Sequence, residues 1–347
     1  MTPILFEKSE QKFDSNGIGR LSDCIKCVVS ERINDFYTLD LTYLATGNHA
    51  DEIQPGCLIL ADPNETDRPQ PFRIYEISKN LDGNFEVSAN HISYDLSGIP
   101  ARNITGITTA SGAVAALNSR AVISTGFTFS TDLSVSKNYE KRGGFSVRSA
   151  MGGTDSIQET YGGEWYYDRY SCQLLTNRGE DNGVTIRYGK NLKALNATSN
   201  DTEEYTGAYA YYYSNNRWFH SNIIYSDQYA IPQKILMVDH TSDYQSDPTT
   251  AELDANATAD LAAAAGLTNS FSIEFSPLWQ SDEYKDFAPI ERVKLGDFVT
   301  VFYEKYDISA KLEVVETVYN VLTDRYDSIE LGAIRPDFAE TIINLKK

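Results

Sequence analysis

Apolar and polar residues alternate along short runs of this chain, which is the two-residue period of a half-buried strand. The runs that read as strands are Ile25–Ser30, Phe36–Leu44, Phe72–Ser78, Phe85–His91, Val184–Tyr188, Ala208–Tyr213, Val299–Tyr303, Lys311–Tyr319 and Asp327–Leu331. Asn80-Leu81-Asp82-Gly83-Asn84 places an Asp-Gly hairpin turn between two of them. Other stretches follow a helical period. Ala110–Ser119 has Ser111 as its candidate cap, and Ser146–Tyr161 carries Val147, Met151 and Ile157 on one side with a bend at Gly152-Gly153. Thr249–Ala265 places Leu253, Ala257 and Leu261 four residues apart, with a Thr or Asp cap before them and Gly266 as the stop. The pattern predicts an α+β fold that is mainly β.

Two parts of the chain share one grammar. Ile53-x-x-Gly56-Cys57-Leu58-Ile59-Leu60 is followed by Phe72–Ile77 and Phe85–Ala89; Val293-x-x-Gly296-Asp297-Phe298-Val299-Thr300 is followed by Leu312–Glu316 and Ser328–Leu331. Antiparallel meanders share this grammar by coincidence; the sharper alternative is two copies of one small β-barrel-like module bracketing the chain.

The chain has 347 residues, enough for two to four domains. With 30 basic against 49 acidic residues its net charge is −19, which argues against a protein that grips nucleic acid phosphates. No basic-then-apolar leader is visible, and the longest apolar run, Leu261–Leu267, is too short to span a bilayer. No membrane anchor is expected, and synthesis is expected in a cytoplasm.

Candidate chemistry is sparse. Cys24-x-x-Cys27 is half of a zinc site with no second half, and strand alternation puts the two thiols on opposite faces. Neither a metal nor a cofactor is expected. His91 ends a strand and reads as a structural hydrogen-bonding residue. Glu159, Glu164 and Asp168 flank Tyr161-Gly162-Gly163-Glu164-Trp165, and a pair of carboxylates near aromatics is what a cell-wall hydrolase needs as acid and base. The bland alternative is a helix end, a turn and a strand. Tyr205, Tyr209, Tyr211 and Tyr213 share one sheet face, read as core or subunit interface ahead of a glycan-binding surface. The Gly-rich spots lack nucleotide-loop spacing.

The longest pattern is Arg178-Gly179-Glu180-Asp181-Asn182-Gly183-Val184-Thr185-Ile186-Arg187-Tyr188-Gly189-Lys190-Asn191-Leu192. It resembles a signature of the tail-tip hub proteins of long-tailed bacteriophages, the family known as phage minor structural protein or prophage tail endopeptidase. The resemblance extends to His91-Ile92-Ser93-Tyr94-Asp95-Leu96, Arg148–Gly153, Gly162-Gly163-Glu164, Pro232-Gln233-Lys234 with Val238-Asp239, Gly296-Asp297, and Arg325-Tyr326 through Gly332. It implies two tube-like β domains with smaller α/β domains, divided here as 1–97, 98–165, 166–245 and 246–347, with discontinuous pairing between segments. It also implies a homotrimer at the distal end of the tail tube, so that six similar modules match a sixfold tube. The implied partners are the distal tail protein and the tube or tape-measure proteins, with DNA only in transit. The implied location is the tail tip of the virion. The resemblance gives Gly179, Asp181, Gly183, Tyr188, Gly189, Lys190, Asn191, Gly296, Asp297, Arg325, Tyr326 and Gly332 a structural role. Peptidase or lysin activity of some members would lie beyond this region, so no catalytic residue is expected.

Overall fold

The computed structural model describes residues 2–81, 83–187, 192–199, 205–226, 234–244, 246–265, 269–275, 292–303 and 308–332. Tyr188, Gly189, Lys190 and Asn191, the Pro232-Gln233 pair, Asp82 and the Gly266 stop lie outside them.

The chain opens with β1 (Ile4–Phe6) and β2 (Gly19–Arg20), then the hairpin of β3 (Cys24–Arg32) and β4 (Tyr37–Leu44). Asn34 turns that hairpin in the left-handed region, at φ 58°. Alternation in β4 sends Tyr37, Leu39, Leu41 and Tyr43 into the core. β5 (Leu58–Ala61), β6 (Gln70–Lys79) and β7 (Asn84–His91) follow. All four residues of β5 are buried, because Ile59 and Ala61 face one core while Leu58 and Leu60 face another.

A mixed region comes next: β8 (Pro100–Ala101), β9 (Ile104–Ile107), α1 (Ala110–Arg120), β10 (Thr128–Thr131), β11 (Tyr139–Lys141), β12 (Phe145–Ser146), α2 (Val147–Met151), α3 (Ile157–Tyr161), β13 (Glu164–Asp168) and β14 (Ser171–Leu175). The cap of α1 is Thr109, whose hydroxyl accepts from the Gly112 amide, and not Ser111, which sits inside the first turn. The single helix expected over Ser146–Tyr161 is two, because Gly152 is extended and Gly153 takes φ +93°. Each piece has its own serine cap, Ser146 and Ser156.

The last third contains β15 (Asp181–Arg187), β16 (Leu192–Ser199), β17 (Gly207–Ser214), β18 (Arg217–His220), β19 (Ile224–Tyr225), β20 (Ile235–Asp239), α4 (Thr250–Ala265), β21 (Asn269–Phe275), β22 (Phe298–Tyr303), β23 (Ile308–Asn320) and β24 (Arg325–Gly332). Strands β17 to β20 form a separate small sheet, and Leu253, Ala257 and Leu261 of α4 pack on its Ala208, Ala210 and Tyr212.

Among the described residues the main sheet has 13 strands, in the order β16-β21-β24-β23-β3-β4-β7-β6-β5-β1-β2, with β22 on β23 and β15 on β22. This order contains the repeat. The first module reads β5-β6-β7-β4-β3 across the sheet and the second reads β22-β23-β24-β21-β16, with each set in the same chain order. The two agree atom for atom at the Gly turn. Gly56 N donates to Ile74 O at 2.7 Å and Ile74 N to Cys57 O at 2.9 Å; Gly296 N donates to Val314 O at 2.8 Å and Val314 N to Asp297 O at 2.9 Å. Both long strands bulge one residue later, at Tyr75 and at Val315. The α/β subdomain is inserted between β16 and β21, where the first module has only the Asn34 turn. The modules meet where β23 pairs antiparallel with β3, and one hydrophobic core runs through both. The sheet does not close into a barrel among the described residues.

Alternation does not hold at Cys24. A bulge lies between Cys24 and Lys26, so Cys24 pairs with Tyr43 while Cys27 pairs with Leu41. Both thiols therefore face the same side, contrary to the opposite faces expected from an unbroken strand. The Cys24 thiol and burial together push the Cys27 thiol well up, and both cysteines are free. Among the described residues no group of three His, Cys, Asp or Glu is placed to hold a metal, and no helix is long and apolar enough to cross a membrane.

His240 ties the subdomain together. Its ring nitrogens meet Asp243 at 2.5 Å and Asp260 of α4 at 2.8 Å. Burial opposes the charge, but the two carboxylates outweigh it and raise the imidazole to about 9. A raised value stabilises the fold below the unfolded value, about 6.5, and that contribution fades as pH rises through about 9. His240→Gln is expected to lose about 1–2 kcal/mol of stability at pH 7 after solvent screening, read as a lower melting temperature, and to match the parent at pH 10. Equal melting at pH 7 would remove the triad from the stability account.

Candidate functional site

Residues Arg178 to Gly183 leave β14, cross the molecule and enter β15. On the way they touch three parts of the chain. The Arg178 side chain, 5% exposed, donates from Nη1 to Glu31 Oε1 on β3 at 2.7 Å and to the Trp165 carbonyl at 3.3 Å. Its guanidinium lies 5.2 Å from the Tyr166 ring centroid. Burial pushes the Glu31 carboxyl up against the pull of Arg178, while Glu31 offsets burial to keep the guanidinium charged. Arg178 N donates to the buried Glu164 carboxylate at 2.9 Å. Asn34 closes the same corner: its side chain donates to Gly163 O at 3.0 Å and accepts from Trp165 N at 2.9 Å.

Gly179 then lies flat on the second module. A Cβ there would stand 2.2 Å from Gly296 C and 2.3 Å from Asp297 N, and Gly296 itself takes φ +90°. Neither position accepts a side chain. Asp297, 3% exposed, uses both oxygens, accepting Glu180 N at 2.9 Å and Lys294 N at 2.9 Å. Burial raises this carboxyl and the two amides counter it. Phe298 N donates to Glu180 O at 3.0 Å, and from there β15 runs parallel to β22. Asp181 bonds Lys311 at 2.7 Å and the Gly183 amide at 3.0 Å, and these contacts lower its pKa. The motif is therefore a clasp that holds the first module, the mixed region and the second module in one arrangement.

The remaining motif residues belong to the second module. Tyr326 is buried edge-on to Tyr319 at 5.3 Å, and Arg325 pairs with Asn320 at the hairpin end. A Cβ on Gly332 would stand 2.6 Å from Val315 Cγ1, so glycine there answers the bulge. His91 is fully buried and stacks on Tyr37 at 4.6 Å, while its Nδ1 accepts from Ser93 N at 3.2 Å; burial holds it neutral.

The three candidate carboxylates are not assembled. Glu159 sits in the first turn of α3, donates its amide to the Ser156 cap and accepts the Asp155 amide at 2.5 Å. Glu164 is tied to Arg178. Asp168 accepts Arg68 Nε at 2.5 Å and Gln70 Nε2 at 3.0 Å, which lower its pKa against burial. Glu164 and Asp168 sit at the two ends of β13, ~13 Å apart along the strand, beyond the roughly 5–9.5 Å that glycosidases use.

The tyrosine run splits. Ala208, Ala210 and Tyr212 form the core under α4 and Tyr205 packs on that side, so the core reading fails for Tyr209, Tyr211 and Tyr213. These three lie on the opposite, outer face, where Tyr211 stacks on Trp218 at 4.6 Å and Tyr209 on His220 at 5.4 Å.

No protein-family model matches the chain, and neither does any curated protein. Solved structures do. The prophage tail protein gp18 of Listeria monocytogenes EGD-e superposes with a TM-score of 0.66 at 14% identity, covering 96% of this chain and 95% of its own. The 43 kDa tail protein of prophage MuSo2 from Shewanella oneidensis gives 0.66 at 11% identity over 97% and 99%. A tail protein from Neisseria meningitidis MC58 gives 0.58 at 11% identity over 95% and 96%. The architecture, mainly β with a few helices, is thus the fold of these phage tail proteins. This chain has that fold over nearly its whole length.

Proposed function

We propose that the protein is a structural hub of a bacteriophage or prophage tail tip. Three copies form a ring on the end of the tail tube, and DNA leaves through the ring's channel. The observation that carries this reading is the module used twice, in one strand order and with matching turns and bulges. Two quasi-equivalent modules per chain let a threefold ring present six similar units to a sixfold tube. The net charge of −19 suits a conduit that should not retain DNA phosphates. On this reading the partners are further copies of the chain, the distal tail protein and the tube or tape-measure proteins, and the site of action is the virion tail tip. The clasp is the part that sets the angle between the two modules. Native mass spectrometry is expected to give three times the 38.8 kDa chain, and electron microscopy a ring with a central hole. A monomer at every concentration tested would count against the ring.

A further inference from the structure

The internal repeat specifies how one copy should join the next. Within the chain the modules are joined by β23 and β3, with Glu316 opposite Arg32, Thr317 opposite Glu31, Val318 opposite Ser30, Tyr319 opposite Val29 and Asn320 opposite Val28. Both strands have counterparts in the other module. The Gly56 and Gly296 turns differ by 240 in number, and so do the two bulges, so Glu76 to Asn80 of the β6 segment correspond to Glu316 to Asn320. Val29 pairs with Leu39, and Leu39 with Ala89, across the first module; Leu195 pairs with Ile273, and Ile273 with Leu331, across the second. Ala89 and Leu331 lie opposite Ile74 and Val314, the equivalent residues just before the two bulges, so Val29 corresponds to Leu195, and β3 to β16 at an offset of 166.

Among the described residues the counterpart edges lack strand partners. Past Ile74, the edge of β6 on the β5 side faces no strand, and β16 ends the sheet with only β21 beside it among the described residues. Side-chain exposure follows the same contrast. Thr317 and Tyr319 are buried beneath β3, whereas their counterparts Ile77 and Lys79 are half-buried and exposed. Val321 is 0% exposed; its counterpart Leu81 is 106% exposed at the hairpin tip, and Tyr75 beside the bulge is 55% exposed. A strand edge that leaves Tyr75 and Leu81 exposed is a liability unless another strand adds to it.

Building on the ring proposed above, we infer that the β6 edge of one copy pairs antiparallel with the β16 edge of the next. The register is Glu76 opposite Thr198, Ile77 opposite Ala197, Ser78 opposite Asn196, Lys79 opposite Leu195 and Asn80 opposite Ala194. The contact is head-to-tail, so each copy offers a different edge to each neighbour. It repeats between chains the step already made within one chain, and the occupant of each free edge is a second copy of this protein.

The test is a cysteine pair. Val321 N donates to Cys27 O and Ile33 N to Val315 O, so Val318 and Ser30 form a non-hydrogen-bonded pair, the closely spaced kind that suits a disulfide. Their counterparts are Ser78 and Asn196. A chain carrying both Ser78→Cys and Asn196→Cys, mildly oxidised, is expected to run as a covalent ladder up to three chains. Neither single variant should do so, nor should Ser78→Cys with Ala197→Cys, because a one-residue slip turns the side chain to the other face. Val318→Cys with Ser30→Cys, bridging within one chain, is the positive control. Leu81→Asp is expected to leave the melting of the isolated chain unchanged and to weaken the trimer about tenfold or more. A trimer by mass in which the control pair bridges and the Ser78/Asn196 pair does not would overturn this interface and leave the ring standing. A chain that stays monomeric and forms no ladder would overturn both.

Discussion

Arg178→Leu is expected to cost about 3–5 kcal/mol of folding stability, because it leaves the Glu31 carboxylate buried without its cation. The two side chains are 5% and 8% exposed and bond at 2.7 Å, so water cannot take the place of the lost partner. The double variant Glu31→Leu with Arg178→Leu should recover most of that loss, since two apolar side chains bury no charge. The single variant also gains a pH signature. Glu31 is already raised by burial, and without Arg178 nothing opposes the shift. A carboxyl raised in the folded state favours folding at low pH and loses that contribution as pH rises through its folded value. The deficit of Arg178→Leu relative to the parent should therefore shrink from pH 7 towards pH 4.5 in urea melts. A deficit independent of pH, or a double variant as weak as the single, would show that the ion pair is not what holds this corner.

The sequence made the local structure readable wherever alternation was unbroken. Phe85–His91 lies within a strand in which alternate side chains are buried, whereas the bulge at Val315 breaks the alternation within Lys311–Tyr319, and the two Gly turns mark the two modules. The repeat was legible only over its last three strands. Its first two are a hairpin around Asn34 in one module but are separated by the whole α/β insertion in the other, so no local pattern relates β3 to β16. Parity failed at Cys24 because a bulge adds one residue, and bulges leave no mark in hydropathy. For the tyrosine run the parity held for Tyr209, Tyr211 and Tyr213 but not for Tyr205, and the core lies on the other face of the strand. A helix settles on small residues, so α4 took the Ala208 and Ala210 side and left Tyr211 and Tyr213 outside. The clasp was visible as a motif, although its partners were not. Glu31 on a strand reads as a solvent-facing residue, and only the fold brings Arg178 to it from 147 positions away.

Gly179→Ala is expected to cost about 2–4 kcal/mol, a large effect for the addition of one methyl group. The new carbon would stand 2.2 Å from Gly296 C and 2.4 Å from Gly296 O. Both belong to backbone, so no side chain can rotate away, and the two segments must part by about 1 Å to reach ordinary contact. That movement strains the Glu180 N bond to Asp297 and the Phe298 N bond to Glu180 O, at 2.9 and 3.0 Å. Asp297 would then be left buried with one of its two amides lost, and a charged acceptor is the costly kind to leave unsatisfied. Gly183→Ala is the comparison. It meets nothing within 4 Å but must hold φ +71°, which should cost only about 1–2 kcal/mol. Urea melts rank the two, and hydrogen exchange should show faster opening of the β15–β22 pair in Gly179→Ala before the β3–β4 hairpin changes. If both glycine variants melt alike, close approach is not the reason for glycine at position 179. If Gly179→Ala stays folded but opens β15–β22, the second module loses its fixed angle to the first. Ring formation should then fail at concentrations where the chain itself is still native.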